Sequence, residues 1–198
     1  MTKRIFDIIF STIGVLILTP VFLIVAASIK VDSSGPVFFT QERVGRGGRV
    51  FKLFKFRTMV TDRGGCWQGV TSGSDRRITN IGRFLRRYRI DEFPQLFNVI
   101  KGEMSLVGPR PELLKFTRCF PEQYSKILEV KPGITDPAAI RFKDEVRNLS
   151  EKELEQKYIE DILPKKIELY LGYIEKQNAL FDIKIIIDTL YVTIFKNT

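Results

Sequence analysis

The sequence predicts an α/β domain, mainly helical with a small β-hairpin, behind an N-terminal re-entrant membrane helix and carrying amphipathic interfacial helices. Three observations predict it. Residues 8–29 contain no charged side chain and carry Pro20 near their middle. Two aromatic-basic runs, Val37–Arg43 and Arg49–Arg57, flank Gly45-Arg46-Gly47-Gly48. Further along, apolar residues recur at helical spacing, as in Phe93, Leu96, Phe97 and Ile100. The boundary falls at residue 32: residues 1–32 form the membrane helix, and residues 33–198 form one domain large enough for a core.

The uncharged stretch from Ile8 to Ile29 is bracketed by Lys3, Arg4 and Lys30. As a helix it would reach about 33 Å, enough to cross a bilayer core. A straight span would place Lys3-Arg4 and the basic residues after position 40 on opposite sides, although positive flanks favour the cytoplasmic side. Pro20, preceded by Thr19, removes a backbone hydrogen bond and bends a helix. A helix that bends there, dips into the bilayer and returns satisfies both constraints. A straight anchor, or a signal peptide cut near Ala26-Ala27-Ser28, is the competing reading.

The two aromatic-basic runs read as strands of a hairpin closed by the glycine turn. Lys52, Lys55 and Arg57 either line a solvated strand face or contact phosphate. Residues 61–76, rich in Gly, Ser and Thr, read as a mobile loop. Ile78, Ile81 and Leu85 then mark an amphipathic basic helix, which fits a membrane surface and the domain core equally well. Residues 112–120 read as a short helix ended by Pro121, and residues 150–178 as charged surface helices around Pro164. Residues 178–195 return to apolar spacing, but Asp182, Lys184 and Asp188 argue for a core or interfacial helix rather than a span.

Composition narrows the chemistry. The chain has no histidine, which removes imidazole bases, His-dependent nucleophiles and His metal sites. Two cysteines, Cys66 and Cys119, are too few for a zinc quartet. Neither a Gly-Lys-Ser/Thr phosphate loop nor a G-x-G-x-x-G run is present. Formal charge is +9, and residues 41–90 alone hold 13 Lys/Arg against 3 Asp/Glu. Such a face suits anionic lipid, a phosphorylated substrate or nucleic acid. Interleaved aromatics also fit a single-stranded nucleic-acid surface, so a membrane-tethered basic binding module is the rival reading.

The informative run spans residues 91–112. Asp91 and Glu92 precede a helix whose first turn tolerates Pro94 and which Gly102 can end. A helix N-terminus favours ionised carboxylates by roughly 0.3–1 kcal/mol, and an Asp there is often only a cap. Arg86 precedes the pair, and Arg110 follows it between Pro109 and Pro111, which stiffen its loop. Carboxylates between fixed guanidinium groups fit a phosphate site: the cations clamp oxyanions while a carboxylate attacks or binds a metal.

The run Asp91-Glu92-x-Pro94-Gln95-Leu96-x-Asn98-Val99-x-Lys101-Gly102-x-Met104-Ser105-x-Val107-Gly108-Pro109-Arg110-Pro111 resembles the bacterial sugar transferases known as monotopic phosphoglycosyl transferases. The likeness extends over nearly the whole chain. It implies that residues 33–198 are a catalytic domain transferring a phospho-sugar from a UDP-sugar to undecaprenyl phosphate, with release of UMP. Asp91 would be the nucleophile, Glu92 its catalytic partner that binds Mg2+ or assists proton handling, and Asp91 and Glu92 together the site of Mg2+. Arg86 and Arg110, with Lys55 and Arg57, would hold phosphate, and Thr19-Pro20 would make the membrane bend. The implied setting is the lipid bilayer of the bacterial inner membrane, on its cytoplasmic face, with no nucleic acid as partner. Oligomeric state carries no signal in the sequence. Lys131-Pro132-Gly133-Ile134-Thr135 matches the family's Pro-Gly-Ile-Thr turn, but Asp136-Pro137-Ala138-Ala139-Ile140-Arg141-Phe142 departs from the commoner Gly-Trp-Ala-Gln-Val. Substrate identity therefore does not carry over, and a scaffold homologue that has lost activity is a further alternative.

Overall fold

The computed structural model describes residues 2–60, 75–141 and 151–195. The glycine-rich loop expected at 61–76 therefore lies outside the described residues as far as 74, as do Cys66 and Phe142. The chain opens with α1 (Thr2–Asp32), a hairpin of β1 (Phe38–Val44) and β2 (Val50–Phe56), and α2 (Asn80–Arg87). A 3-10 turn (Ile90–Glu92) leads into α3 (Gln95–Lys101), followed by β3 (Ser105–Val107), α4 (Leu114–Thr117) and α5 (Pro121–Ile127). Then come β4 (Gly133–Thr135), α6 (Pro137–Arg141), α7 (Glu151–Lys157), a π-helical stretch (Tyr158–Ile162), α8 (Leu163–Lys176) and α9 (Ala179–Phe195).

α1 is a single 31-residue helical element with Pro20 inside it. The Thr19 hydroxyl donates to the Val15 carbonyl at 2.8 Å, a back-bond that loosens helices. Pro20 has no N–H to offer the carbonyl four residues earlier. One face of α1 lies on the domain. Arg4 donates to the carbonyls of Val99 and Ile100, Asp7 accepts from Ser105 Oγ and the Leu106 amide, and Gly14 sits against Leu96. Val25 and Ile29 join Phe56 and Leu85 in a buried cluster. Both ends of α1 are thus fastened to the same body. The opposite face exposes Ile5, Ile9, Phe10, Ile13, Leu16, Ile17, Leu23 and Ile24, and α1 is long and apolar enough to cross a membrane.

The hairpin is antiparallel, pairing Phe38 with Phe56 through Val44 with Val50. Gly47 and Gly48 take positive φ at its tip, where any other residue would be strained. β3 and β4 form a parallel pair, which the short Pro-Gly-Ile-Thr stretch did not announce. It depends on close approach: a Cβ on Gly133 would lie 2.1 Å from the Gly108 amide nitrogen, and one on Gly108 would lie 2.5 Å from the Lys131 carbonyl.

The expectation of surface helices at 150–178 needs correction. Tyr158, Ile162, Leu163, Ile167 and Tyr170 belong to the largest buried cluster, packed on Leu113, Phe116, Tyr124 and Ile127. Charged residues between them mask a core face with helical spacing. The π-helical stretch precedes Pro164, which takes the first turn of α8; a wider turn there relieves the clash that a proline ring makes with the preceding turn. Pro121 likewise opens α5 rather than merely ending a helix. Gly133→Ala is expected to lower the unfolding stability by at least about 1–3 kcal/mol, the usual cost of overpacking. Chemical denaturation in detergent measures it, and an unchanged midpoint would contradict the crossing.

Candidate active site

The carboxylates Asp91 and Glu92 lie in the 3-10 turn that feeds α3, and both are buried. Gly102 in the left-handed conformation (φ 91) ends α3, as its composition suggests. Asn98, fully buried, locks this helix to the hairpin: its Oδ1 accepts from the Phe54 amide and its Nδ2 donates to the Lys52 carbonyl and to Glu103. The dyad is therefore held rigidly against β2.

Three cations converge on Glu92. Lys55 Nζ from β2 reaches Oε1 at 3.1 Å, Arg89 Nη2 reaches Oε2 at 3.0 Å, and Arg110 grips both oxygens, Oε2 at 3.3 Å. Burial pushes the Glu92 carboxyl up, but Arg110, Lys55 and Arg89 together outweigh it and hold it well below the usual range. Arg110 in turn rises above its ordinary value: burial opposes this, and the charge and hydrogen bonds of Glu92 prevail. Lys55 is lowered, burial outweighing the attraction of Glu92.

Asp91 is different. Among the described residues none donates a hydrogen bond to its carboxylate. Burial and the adjacent Glu92 charge raise it against the pull of Lys55, Arg86 and Arg89. The preference for the ionised form expected from its place before a helix, a few tenths of a kcal/mol, is outweighed here by desolvation. The strongly acidic member of the pair is Glu92.

The structure sorts the expected phosphate ligands. Arg110 and Lys55 meet at Glu92. Arg86, held by Thr58 Oγ1 at 2.9 Å, acts electrostatically on Asp91. Arg57 points elsewhere: its Nη2 donates to the Ile29 carbonyl and to the Ser33 carbonyl and hydroxyl, at the end of α1. Arg89 was not singled out from sequence. It is the only non-glycine with positive φ among the described residues (φ 56), a conformation costing roughly 1–2 kcal/mol, and its place three residues before Glu92 was the available signal. Asp136, in the divergent stretch, is fully buried and electrostatically close to Arg110. Its Oδ1 caps the amides of Ala138 and Ala139.

As for a metal, no group of three or more potential ligands occurs among the described residues. Both Glu92 oxygens are occupied by cations, so in this arrangement Glu92 does not fit as a ligand. Asp91 does: Mg2+ commonly takes one or two carboxylates together with substrate phosphates and water.

The bacterial sugar transferase family profile matches residues 1–196. The chain belongs to that family. It is 43% identical over 203 residues, 98% of this chain and 36% of the relative, to "Undecaprenyl-phosphate glucose phosphotransferase" of Komagataeibacter xylinus. To "UDP-glucose:undecaprenyl-phosphate glucose-1-phosphate transferase" of Escherichia coli it is 36% identical over 204 residues, 99% of this chain and 40% of the relative. To "Uncharacterized sugar transferase EpsL" of Bacillus subtilis it is 35% identical over 184 residues, 93% of this chain and 83% of the relative. The chain thus spans about two fifths or less of the first two relatives. This sugar transferase carries one carboxylate that is paired threefold beside one that accepts no hydrogen bond among the described residues, and the two should titrate in reverse of their free-peptide order. Carboxyl carbon NMR against pH is expected to place Asp91 above its ordinary value of about 3.9 and Glu92 below its ordinary value of about 4.3. Superimposed titrations would contradict the assignment.

Proposed function

We propose that this chain transfers a phospho-sugar from a UDP-sugar to undecaprenyl phosphate through a covalent Asp91 intermediate. The observation that carries the reading is the asymmetry of the dyad: Glu92 is neutralised by three cations, while among the described residues none donates a hydrogen bond to the Asp91 carboxylate. A buried carboxylate with little solvation is a stronger nucleophile once ionised, and binding a multiply charged diphosphate brings no second unpaired acid into its way.

In the first step a carboxylate oxygen of Asp91 bonds to the sugar-bearing β-phosphorus. The bond from that phosphorus to the bridging oxygen breaks, and UMP leaves with the electron pair. In the second, an oxygen of the lipid phosphate attacks the same phosphorus and displaces Asp91, leaving polyprenyl-diphosphate-sugar. Arg86 beside Asp91, and Arg110 and Lys55 beside Glu92, offset the charge that gathers on the phosphoryl oxygens. Mg2+, held by Asp91 with substrate phosphate oxygens, would supply further charge neutralisation. The relatives' names support the reaction and name glucose or N-acetylgalactosamine, so the sugar itself is a matter for assay.

α1 supports the membrane setting. Its exposed apolar face and the fastening of both its ends to one body support a re-entrant helix that bends at Thr19-Pro20, with the domain on the cytoplasmic face. The nucleic-acid reading weakens, because Lys55, Arg89 and Arg110 pair with Glu92 inside the fold.

Purified protein in detergent with Mg2+, polyprenyl phosphate and a panel of UDP-sugars is expected to release UMP. With the UDP-sugar alone it should gain the mass of one phospho-sugar. Asp91→Asn is expected to lose the adduct and at least about 10³-fold of turnover, the scale seen when a covalent nucleophile is removed. Turnover retained by that variant would sink the mechanism. Activity needs Asp91 ionised, so UMP release should persist above its raised pKa and fall as pH drops through it. An acid limb at the ordinary aspartate value of about 3.9 would contradict the burial argument.

A further inference from the structure

Arg57 is nearly fully buried, at 3% exposure, yet it does not join the carboxylate site. Among the described residues, its three side-chain hydrogen bonds all leave from one nitrogen, Nη2, to Ile29 O (3.3 Å), Ser33 O (2.7 Å) and Ser33 Oγ (2.9 Å). Nε and Nη1 are buried without partners. The guanidinium thus grips the end of α1 and the residue just beyond it. Asp32, the last residue of α1, adds an attractive charge nearby and accepts from the Ile81 amide at the start of α2.

The neighbours of Arg57 in sequence do the site's work. Lys55, two residues earlier, binds Glu92. Phe56 packs on Val25 and Ile29 of α1. Thr58, one residue later, accepts from Arg86 Nε, and its carbonyl accepts from the Thr79 amide. Thr58 has little room to shift, since a Cβ on Gly82 would meet its carbonyl oxygen at 2.1 Å. One four-residue segment therefore joins the membrane helix to two of the cations around the dyad.

We infer that Arg57 is a positioning residue that hooks the end of α1 and thereby sets Lys55 on Glu92 and Thr58 on Arg86. The inference rests on the proposed transferase activity for its kinetic readout. It makes the seating of α1 part of active-site assembly, because a helix displaced at its C-terminal end releases the segment that carries Lys55.

The bonding pattern supplies the test. An ammonium carries three donors on one nitrogen, so Arg57→Lys can serve the same three acceptors, whereas a guanidinium that clamped substrate phosphate in a fork would not be replaced. In full-length protein in detergent, UMP release without lipid acceptor is expected to fall at least tenfold in Arg57→Ala and to stay within about threefold of wild type in Arg57→Lys. On a Lys55→Met background, Arg57→Ala should add less than about threefold, because its effect passes through Lys55. Equal damage from Lys and Ala, full activity in Arg57→Ala, or additive losses with Lys55→Met would each overturn the inference. If Arg57→Ala does not fold, Ser33→Gly, which removes one of the three acceptors, is expected to cause a smaller loss that also disappears on the Lys55→Met background. Should the wild type release no UMP at all, the transferase reading fails separately. Amide exchange then decides: residues 53–58 are expected to exchange faster in Arg57→Ala but not in Arg57→Lys, and unchanged exchange overturns the hook.

Discussion

The architecture depends on one buried carboxylate. Taking the charge of Glu92 out of water would cost several kcal/mol if it stood alone. It is tolerated because Lys55, Arg89 and Arg110 arrive from the hairpin, the turn after α2 and the loop after β3. Three segments distant in sequence are thereby tied at one point. Removing any one cation leaves charge partly uncompensated in a place water scarcely reaches, so the cluster specifies the relative placement of those segments as well as stabilising them. Its consequence for chemistry falls on the neighbour: Lys55, Arg89 and Arg110 bond to Glu92, and among the described residues none donates to Asp91.

α3 links this cluster to α1. Its N-terminal end carries the dyad, and the carbonyls near its C-terminal end accept from Arg4 of α1. Helix C-termini carry unpaired carbonyls and partial negative charge, so an arginine is a fitting partner. Asp7 is buried on the same side against β3. Lys3, counted from sequence as a flank that orients the helix in the bilayer, forms an ion pair with Asp182 of α9. The basic flank of α1 is thus bound up with domain packing.

Local elements were legible where local physics decides them. The hairpin followed from its glycine turn, α3 from Pro94 and Gly102, and α2 from Ile78, Ile81 and Leu85. Non-local features were not. The β3–β4 pair rests on two glycines, Gly108 and Gly133, whose importance appears only when the strands cross. The core face of α8 was hidden by alternating charge. The run from Asp91 to Pro111 contains the buried dyad and Arg110, which the structure brings together, but which cations reach which oxygen was not readable from it. Arg89 and Arg57 show the limit from both sides: one basic residue unremarked in sequence binds Glu92, and another with a phosphate-like context grips a helix end.

The same contrast changes the meaning of the strongly basic segment. A net excess over residues 41–90 suggests an electropositive surface, yet Arg43, Lys55, Arg57, Arg77, Arg86 and Arg89 all bond within the fold. What matters is the local balance around the dyad. Lys55, Arg86, Arg89 and Arg110 act there on Asp91 and Glu92, and the buried Asp136 acts on Arg110 and Arg89 as a third acid. Positive charge therefore acts at the dyad through four buried or half-buried cations rather than through the charge of the segment as a whole.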